Sequence, residues 1–173
     1  MGAHDAGPGL SARGVTFAAH TFAAWTRADP GVIWTALTDP GQTAAFLYGL
    51  AADSTWIPGS PLRFSCGGVQ VSGRVLCVRR PERLSYVLQA APDDPPVYLT
   101  WLLRPGPEGC TIRLQVDELD AADSREEAED IWLPVLAALQ ALVDPGSLAQ
   151  RADQPPSRTY EEPLANDAGA EHR

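Results

Sequence analysis

The stretch from Ser124 to Asp144, SREEAEDIWLPVLAALQALVD, limits the fold more than any other part of this chain. It is the one long helix signal, and it comes after every other element. Ser124 and Glu127 form a capping-box pair, in which each side chain satisfies a free amide of the first turn. Glu126, Glu127, Glu129 and Asp130 crowd the start, where the helix dipole favours negative charge. Trp132, Leu136, Leu139 and Val143 then recur at helical spacing and define an apolar face. Gln140 is the only polar residue between Asp130 and Asp144, so this helix is expected to be covered on most sides. Pro134 removes one backbone bond and bends it, and Asp144-Pro145-Gly146 stops it. The remainder of the chain must build the surface that holds this helix.

That remainder reads as strands. Val15–Thr26 is rich in β-branched and aromatic residues and is expected to be the first strand. Asp29-Pro30 opens a short helix carrying Val32, Ile33, Trp34 and Leu37, with Asp29 as its cap, and Asp39-Pro40 ends it and starts a second. Six strand signals follow: Ala52–Ile57, Pro61–Cys66, Val69–Arg79, Arg83–Ala90, Val97–Arg104 and Cys110–Glu118. The breaks between them, PGSP, CGG, RRPE, APDDPP and RPGPEG, are rich in turn residues. Successive hairpins imply an antiparallel meander, and one helix packed on it gives an α+β architecture. Residues 1–14 and 145–173 lack apolar periodicity and read as a mobile N-terminal tail and a disordered, acidic, proline-containing C-terminal tail.

Several function classes drop out on composition. The net charge of -9 disfavours nucleic acid, which demands a basic surface. No apolar run is long enough to span a membrane, and the first residues lack a signal-peptide core, so a cytoplasmic location without membrane contact is expected. All 13 basic side chains are arginine, which removes Schiff-base and P-loop lysine chemistry. Cys66, Cys77 and Cys110 lack metal-type spacing and read as small buried hydrophobes in a reducing compartment. His4, His20 and His172 are too dispersed for a metal site, and the acidic run Asp117, Glu118, Asp120 and Asp123 does not match a calcium loop. Neither a metal nor a cofactor is expected.

Four stretches together resemble the START-like superfamily with the helix-grip fold, also called SRPBCC, and within it the branch named after an activator of a heat-shock chaperone ATPase. Residues 29–40, DPGVIWTALTDP, are similar to that branch's opening motif. Gly73-Arg74-Val75 with Arg80–Tyr86 resembles its hairpin, and Gly109–Leu114 its later strand, with Cys110 in the place of a threonine. Trp132, Leu136 and Leu139 resemble the pattern of its final helix. The likeness covers residues 15–144. It implies a curved antiparallel sheet of six to seven strands around the long C-terminal helix, with two short helices after the first strand and one cavity between sheet and helix.

Side chains alternate along a strand, so one parity faces that helix. The resemblance selects Val75 and Cys77; Leu84, Tyr86 and Leu88; Leu99, Trp101 and Leu103; Ile112, Leu114 and Val116. A slip of one residue would invert each set. Ligand-contacting residues are expected to be Trp56, Phe64, Tyr86, Leu88, Leu99, Trp101, Leu114, Val116, Trp132 and Leu136. Each could instead be plain core. Tyr86 is a candidate hydrogen-bond donor, His20 a general base without an evident orienting partner, and Arg63 and Arg74 candidate carboxylate binders. The leading expectation is a binding protein for a small apolar or aromatic molecule, with no catalytic residue assigned. The alternatives are a cyclase/aromatase- or hydrolase-type enzyme using the same cavity, and an interaction module resembling the chaperone activator. Ala137, Ala138 and Ala141 leave room for a second subunit, so a homodimer stays open.

Overall fold

The computed structural model describes residues 17–119 and 125–146. The expected tails, apart from Pro145 and Gly146, lie outside the described residues, as do Ser124 of the capping box and Asp120 and Asp123 of the acidic run. The chain order is β1 (Phe17–Thr26), α1 (Pro30–Thr38), α2 (Pro40–Phe46), β2 (Ala51–Ser54), β3 (Pro61–Cys66), β4 (Val69–Arg79), β5 (Arg83–Gln89), β6 (Val97–Gly106), β7 (Gly109–Leu119) and α3 (Arg125–Val143). The seven strands form one sheet in the order β1-β7-β6-β5-β4-β3-β2. Every neighbouring pair is antiparallel. This is the α+β helix-grip arrangement. The turn-rich breaks make the meander from β2 to β7, and β1 joins it beside β7.

Local chemistry explains the two short helices. Pro30 and Pro40 each occupy a first-turn position, where a missing N–H costs nothing. Asp39 accepts the amide of Gln42 at 3.0 Å, whereas Asp29 sits at the cap position without a side-chain bond. Ile33, Trp34, Ala36, Leu37 and Phe46 turn inward.

Cross-strand register carries one row of the inner face through His20, Val116, Leu99 and Tyr86. The next row runs through Phe22, Leu114, Trp101 and Leu84. All of these are buried. The expected parity therefore holds on β5, β6 and β7, but it breaks on β4. Between Val75 and Cys77 the register shifts: Val75 pairs with Tyr86, whereas Cys77 pairs with Ser85. Leu76 is the extra residue of a bulge, which moves everything after it to the opposite face. Cys77 thus lies on the outer face, and Val78, paired with Leu84, takes the inner place. The cysteines also differ from expectation: Cys110 is buried, but Cys77 is half-buried and Cys66 exposed, because Cys66 ends β3 at the Gly67-Gly68 turn.

Gly73 sits opposite Leu88 on the inner face. A Cβ there would collide with the carbonyl oxygen of Val87 and press on the Leu88 side chain. The two strands approach more closely than any side chain permits, which lets the sheet coil at this point. Gly73→Ala is expected to destabilise the protein by about 2 kcal/mol in chemical denaturation, an overpacking cost against backbone that cannot rotate away.

Helix α3 buries Ala128, Val135, Leu136, Leu139 and Gln140. Trp132 and Val143 are partly buried against the same core. The expectation of cover on most sides is corrected: Ile131 and Leu133 remain 48% and 47% exposed, and Leu142 is also exposed. The sheet offers α3 only one surface, and α1 and α2 flank it without enclosing it. The C-terminal half of α3 is fastened to β1, an edge strand whose unpaired groups need cover. Gln140 Nε2 donates to the carbonyl of Trp25 at 2.5 Å. Asp144 Oδ2 accepts the amide of Arg27 at 2.9 Å. The one polar residue in the apolar run thus ties helix to sheet, with Asp144 just beyond it.

Candidate ligand-binding cavity

The other half of α3 is not packed solidly on the sheet. Beneath Ile131 and Trp132 lies a cavity of about 120 Å3, walled by Leu47, Tyr48, Leu50, Phe64, Val71, Tyr86, Leu88 and Leu99. An adjacent cleft of about 300 Å3 shares Val71, Leu88, Leu99 and Trp132 with it and adds Gln89, Ala90, Asp94, Pro95 and Val97. Together they form the mouth and the interior of one apolar recess between sheet and helix.

Of the residues expected to contact a ligand, Phe64, Tyr86, Leu88, Leu99 and Trp132 line this recess. The other five do not. Trp101, Leu114, Val116 and Leu136 are fully packed core. Trp56 stands behind Tyr86, with ring centroids 6.4 Å apart, and its indole N–H donates to the carbonyl of Thr38 at 3.0 Å. The remaining walls, Leu47, Tyr48, Leu50, Val71 and Ile131, are additions that the strand pattern did not single out. Val71 follows the glycine pair of the β3–β4 turn, and Leu47, Tyr48 and Leu50 follow α2.

Tyr86 is the polar residue at the floor. Its hydroxyl accepts the indole N–H of Trp101 at 2.9 Å, and its ring meets Phe64 at 5.8 Å. Burial pushes the phenol up from 10.0 to about 12, opposed by the hydrogen bond from Trp101. Tyr86 therefore stays protonated at neutral pH and does not act as a base there. Its proton is held more tightly folded than unfolded, so stability from this group is full below pH 10 and falls as pH rises toward 12. A spectroscopic alkaline titration is expected to show one tyrosine whose phenolate absorbance emerges only near pH 12 while the protein is folded, and Tyr86→Phe removes that late component. The absence of lysine keeps this pH range free of amine titrations.

Trp132 Nε1 is the second polar group. It is buried without a hydrogen-bond partner among the described residues. At the rim, the hydroxyl of Tyr48 donates to the carbonyl of Ile131 at 2.7 Å and bridges the α2–β2 turn to α3. Pro134 opens the backbone bonding of this helical turn.

The other candidates lie elsewhere. His20 is on the inner face of β1, stacked on Phe22 at 6.5 Å. Arg63 is exposed, and Arg74 is exposed with a bond to the carbonyl of Gly59 at 3.3 Å. Tyr48, Tyr86 and, at the cleft, Asp94 are thus the titratable side chains of the recess among the described residues. A broader groove of about 450 Å3 lies on the outer face, where the bulge places Leu76 and Cys77 beside Arg83, Ser85, Tyr98, Thr100 and Asp117. Ser85 and Thr100 already satisfy each other at 2.9 Å, and Arg83 reaches Ser85 at 3.3 Å. The inner recess is more enclosed and more apolar, the features of a small-molecule site. No helix among the described residues is long and apolar enough to cross a membrane.

Comparison with known proteins agrees with this architecture. The family described as "Activator of Hsp90 ATPase homolog 1-like protein" matches residues 21–144. No curated protein matches the sequence. Among solved structures, the protein MLL2253 from Mesorhizobium loti has 24% identity and a TM-score of 0.63, covering 74% of this chain and 98% of its own. The protein CV1439 from Chromobacterium violaceum has 21% identity and a TM-score of 0.62, covering 73% and 97%. The Aha1 dimer from Colwellia psychrerythraea has 16% identity and a TM-score of 0.58, covering 75% and 96%. At these identities the likeness shows the fold.

Proposed function

This chain belongs to the Activator of Hsp90 ATPase homolog 1-like family, and from that premise we propose that it binds a small apolar or aromatic molecule in the recess between sheet and α3. The observation that carries this reading is the cavity of about 120 Å3 beneath Trp132, lined almost wholly by apolar side chains and continued by an open cleft. A closed apolar void of about 150 Å3 holds benzene; the inner chamber, at about 120 Å3, approaches that size, and the adjoining cleft of about 300 Å3 adds the room a ring compound needs. Loss of packing contacts around such a void is a cost that a ligand removes. The titratable groups expected of an acid–base enzyme do not converge there: Tyr86 keeps its proton, and His20 packs on Phe22. Native mass spectrometry of freshly purified protein, with thermal shift against a panel of aromatic compounds, tests the reading. A bound or stabilising ring compound supports it, and a panel that produces neither mass adduct nor shift counts against it.

A second reading has its own observation. Ile131 and Leu142, eleven residues apart and thus on one side of α3, are both exposed, which suits a second copy of the chain. The Colwellia psychrerythraea protein was solved as a dimer. Light scattering after size exclusion distinguishes the two: a dimer mass supports an interface on α3, and a monomer mass removes this reading.

A further inference from the structure

One face of this acidic chain is basic. Arg113, Leu102, Arg83 and Arg79 form a single cross-strand row over β7, β6, β5 and β4. Arg104 stands on the neighbouring row, paired with Thr111, which pairs in turn with Trp25 of β1. Alternation sets these residues opposite the buried Leu84, Leu103 and Ile112, so they occupy the outer face of the sheet. The bulge at Leu76 is what brings Arg79 to that face. All four arginines are exposed, and none of them is in an ion pair among the described residues. Asp117 is the only carboxylate among the described outer-face side chains of β4 to β7, with Glu82 and Glu108 in the turns. A cluster of like charges repels itself and attracts an anionic partner.

The chain contains such a partner. Residues 159–171, TYEEPLANDAGAE, hold Glu161, Glu162, Asp167 and Glu171 and no basic residue. The route to the cluster is short. Asp144 accepts the amide of Arg27 at 2.9 Å, and Trp25 and Thr26 are level with Thr111 and Cys110. The chain therefore leaves α3 at the end of the sheet that carries Arg104 and Arg113. β1 is an edge strand, so no further strand blocks the way to the outer face. Glu161 lies 15 residues beyond Gly146, an extended reach of about 50 Å. Strand spacing puts Arg113 only about 11 Å from Thr26.

We propose that residues 159–171 dock on the arginine cluster of the outer face within the same molecule. One exposed ion pair is weak, so the docking depends on several pairs at once and on the tether, which holds the carboxylates near the cluster at an effective concentration of about a millimolar. Arg83 also lines the outer groove, so the docked segment lies across one end of it.

The test compares full-length wild type with a full-length variant carrying Glu161→Gln, Glu162→Gln, Asp167→Asn and Glu171→Gln. At low salt, amide resonances around Trp25, Arg83, Arg104 and Arg113 are expected to differ between the two proteins, and high salt is expected to remove the difference. A fluorescein-labelled peptide of residues 159–171 then probes the cluster by anisotropy. It is expected to bind the neutralised variant about tenfold more tightly than wild type, whose own segment competes for the site. Adding Arg104→Gln and Arg113→Gln, both at exposed positions, to the neutralised variant is expected to abolish that gain. Resonance differences confined to the substituted segment, or equal peptide binding by the two proteins, overturns the proposal. Differences at the arginines that grow with protein concentration also overturn it, because they place the segment on a second copy of the chain.

Discussion

Replacing Trp101 with alanine is expected to destabilise the protein by about 4 kcal/mol, the scale of a large aromatic deleted from a closed core. Trp101 is 1% exposed, lies on the interior strand β6, and meets the edge of Phe46 with ring centroids 6.3 Å apart. Two costs add. The vacated volume lies beneath α2 and cannot collapse without moving that helix. The hydroxyl of Tyr86 loses its indole donor and becomes an unmatched buried polar group. The second cost can be isolated. Trp101→Phe restores most of the apolar volume and should lose about 2 kcal/mol, and the loss should shrink when Tyr86→Phe is already present. Urea denaturation of the four proteins measures it. A cost below about 1 kcal/mol for Trp101→Ala would mean that this part of the core is not packed as described.

Val71→Phe is expected to reduce affinity for a ring-containing ligand at least about a hundredfold, a change of roughly 2.7 kcal/mol in binding free energy. Val71 pairs with Phe64 across β3 and β4, faces inward, and borders both the cavity and the cleft. A phenyl ring at this position projects into a chamber of about 120 Å3 and takes the space that a ligand ring would use. Aromatic residues suit a strand, and filling a void adds contacts, so the variant is expected to be about 1 kcal/mol more stable than wild type. Lost binding together with maintained or raised stability separates blockage from misfolding. Calorimetry with acetophenone and a parallel denaturation series read both quantities. Undiminished binding would place the ligand somewhere other than this recess.

The topology was readable because each of its determinants is local. The turn clusters between strands, the Asp-Pro pairs at the two short helices and the apolar period of α3 each fix one element without reference to the others. The cavity is not local. Alternation identifies Tyr86 and Trp101 equally as inward-facing, yet Trp101 is packed by Phe46 and Tyr86 borders a void. That difference depends on where α2 and α3 cross the sheet, which no strand period encodes. The bulge at Leu76 is silent for a similar reason: VSGRVLCVR alternates well enough in either register, and only pairing with β5 shows the extra residue. The cover of α3 was misjudged because apolar composition indicates what a helix would bury, not how much surface the rest of the chain can offer. Gln140 shows the reverse case. It appeared as an interruption in an apolar run, and its partner, the carbonyl of Trp25, is distant in sequence.

The claim that a ligand sits between sheet and helix is tested most directly by a crystal structure of the wild-type protein soaked with iodobenzene, whose iodine is located by anomalous scattering. The account predicts iodine density in the chamber bounded by Tyr86, Leu99 and Trp132. Density confined to the outer groove beside Ser85 and Tyr98, or a chamber left empty in a fully soaked crystal, would contradict it.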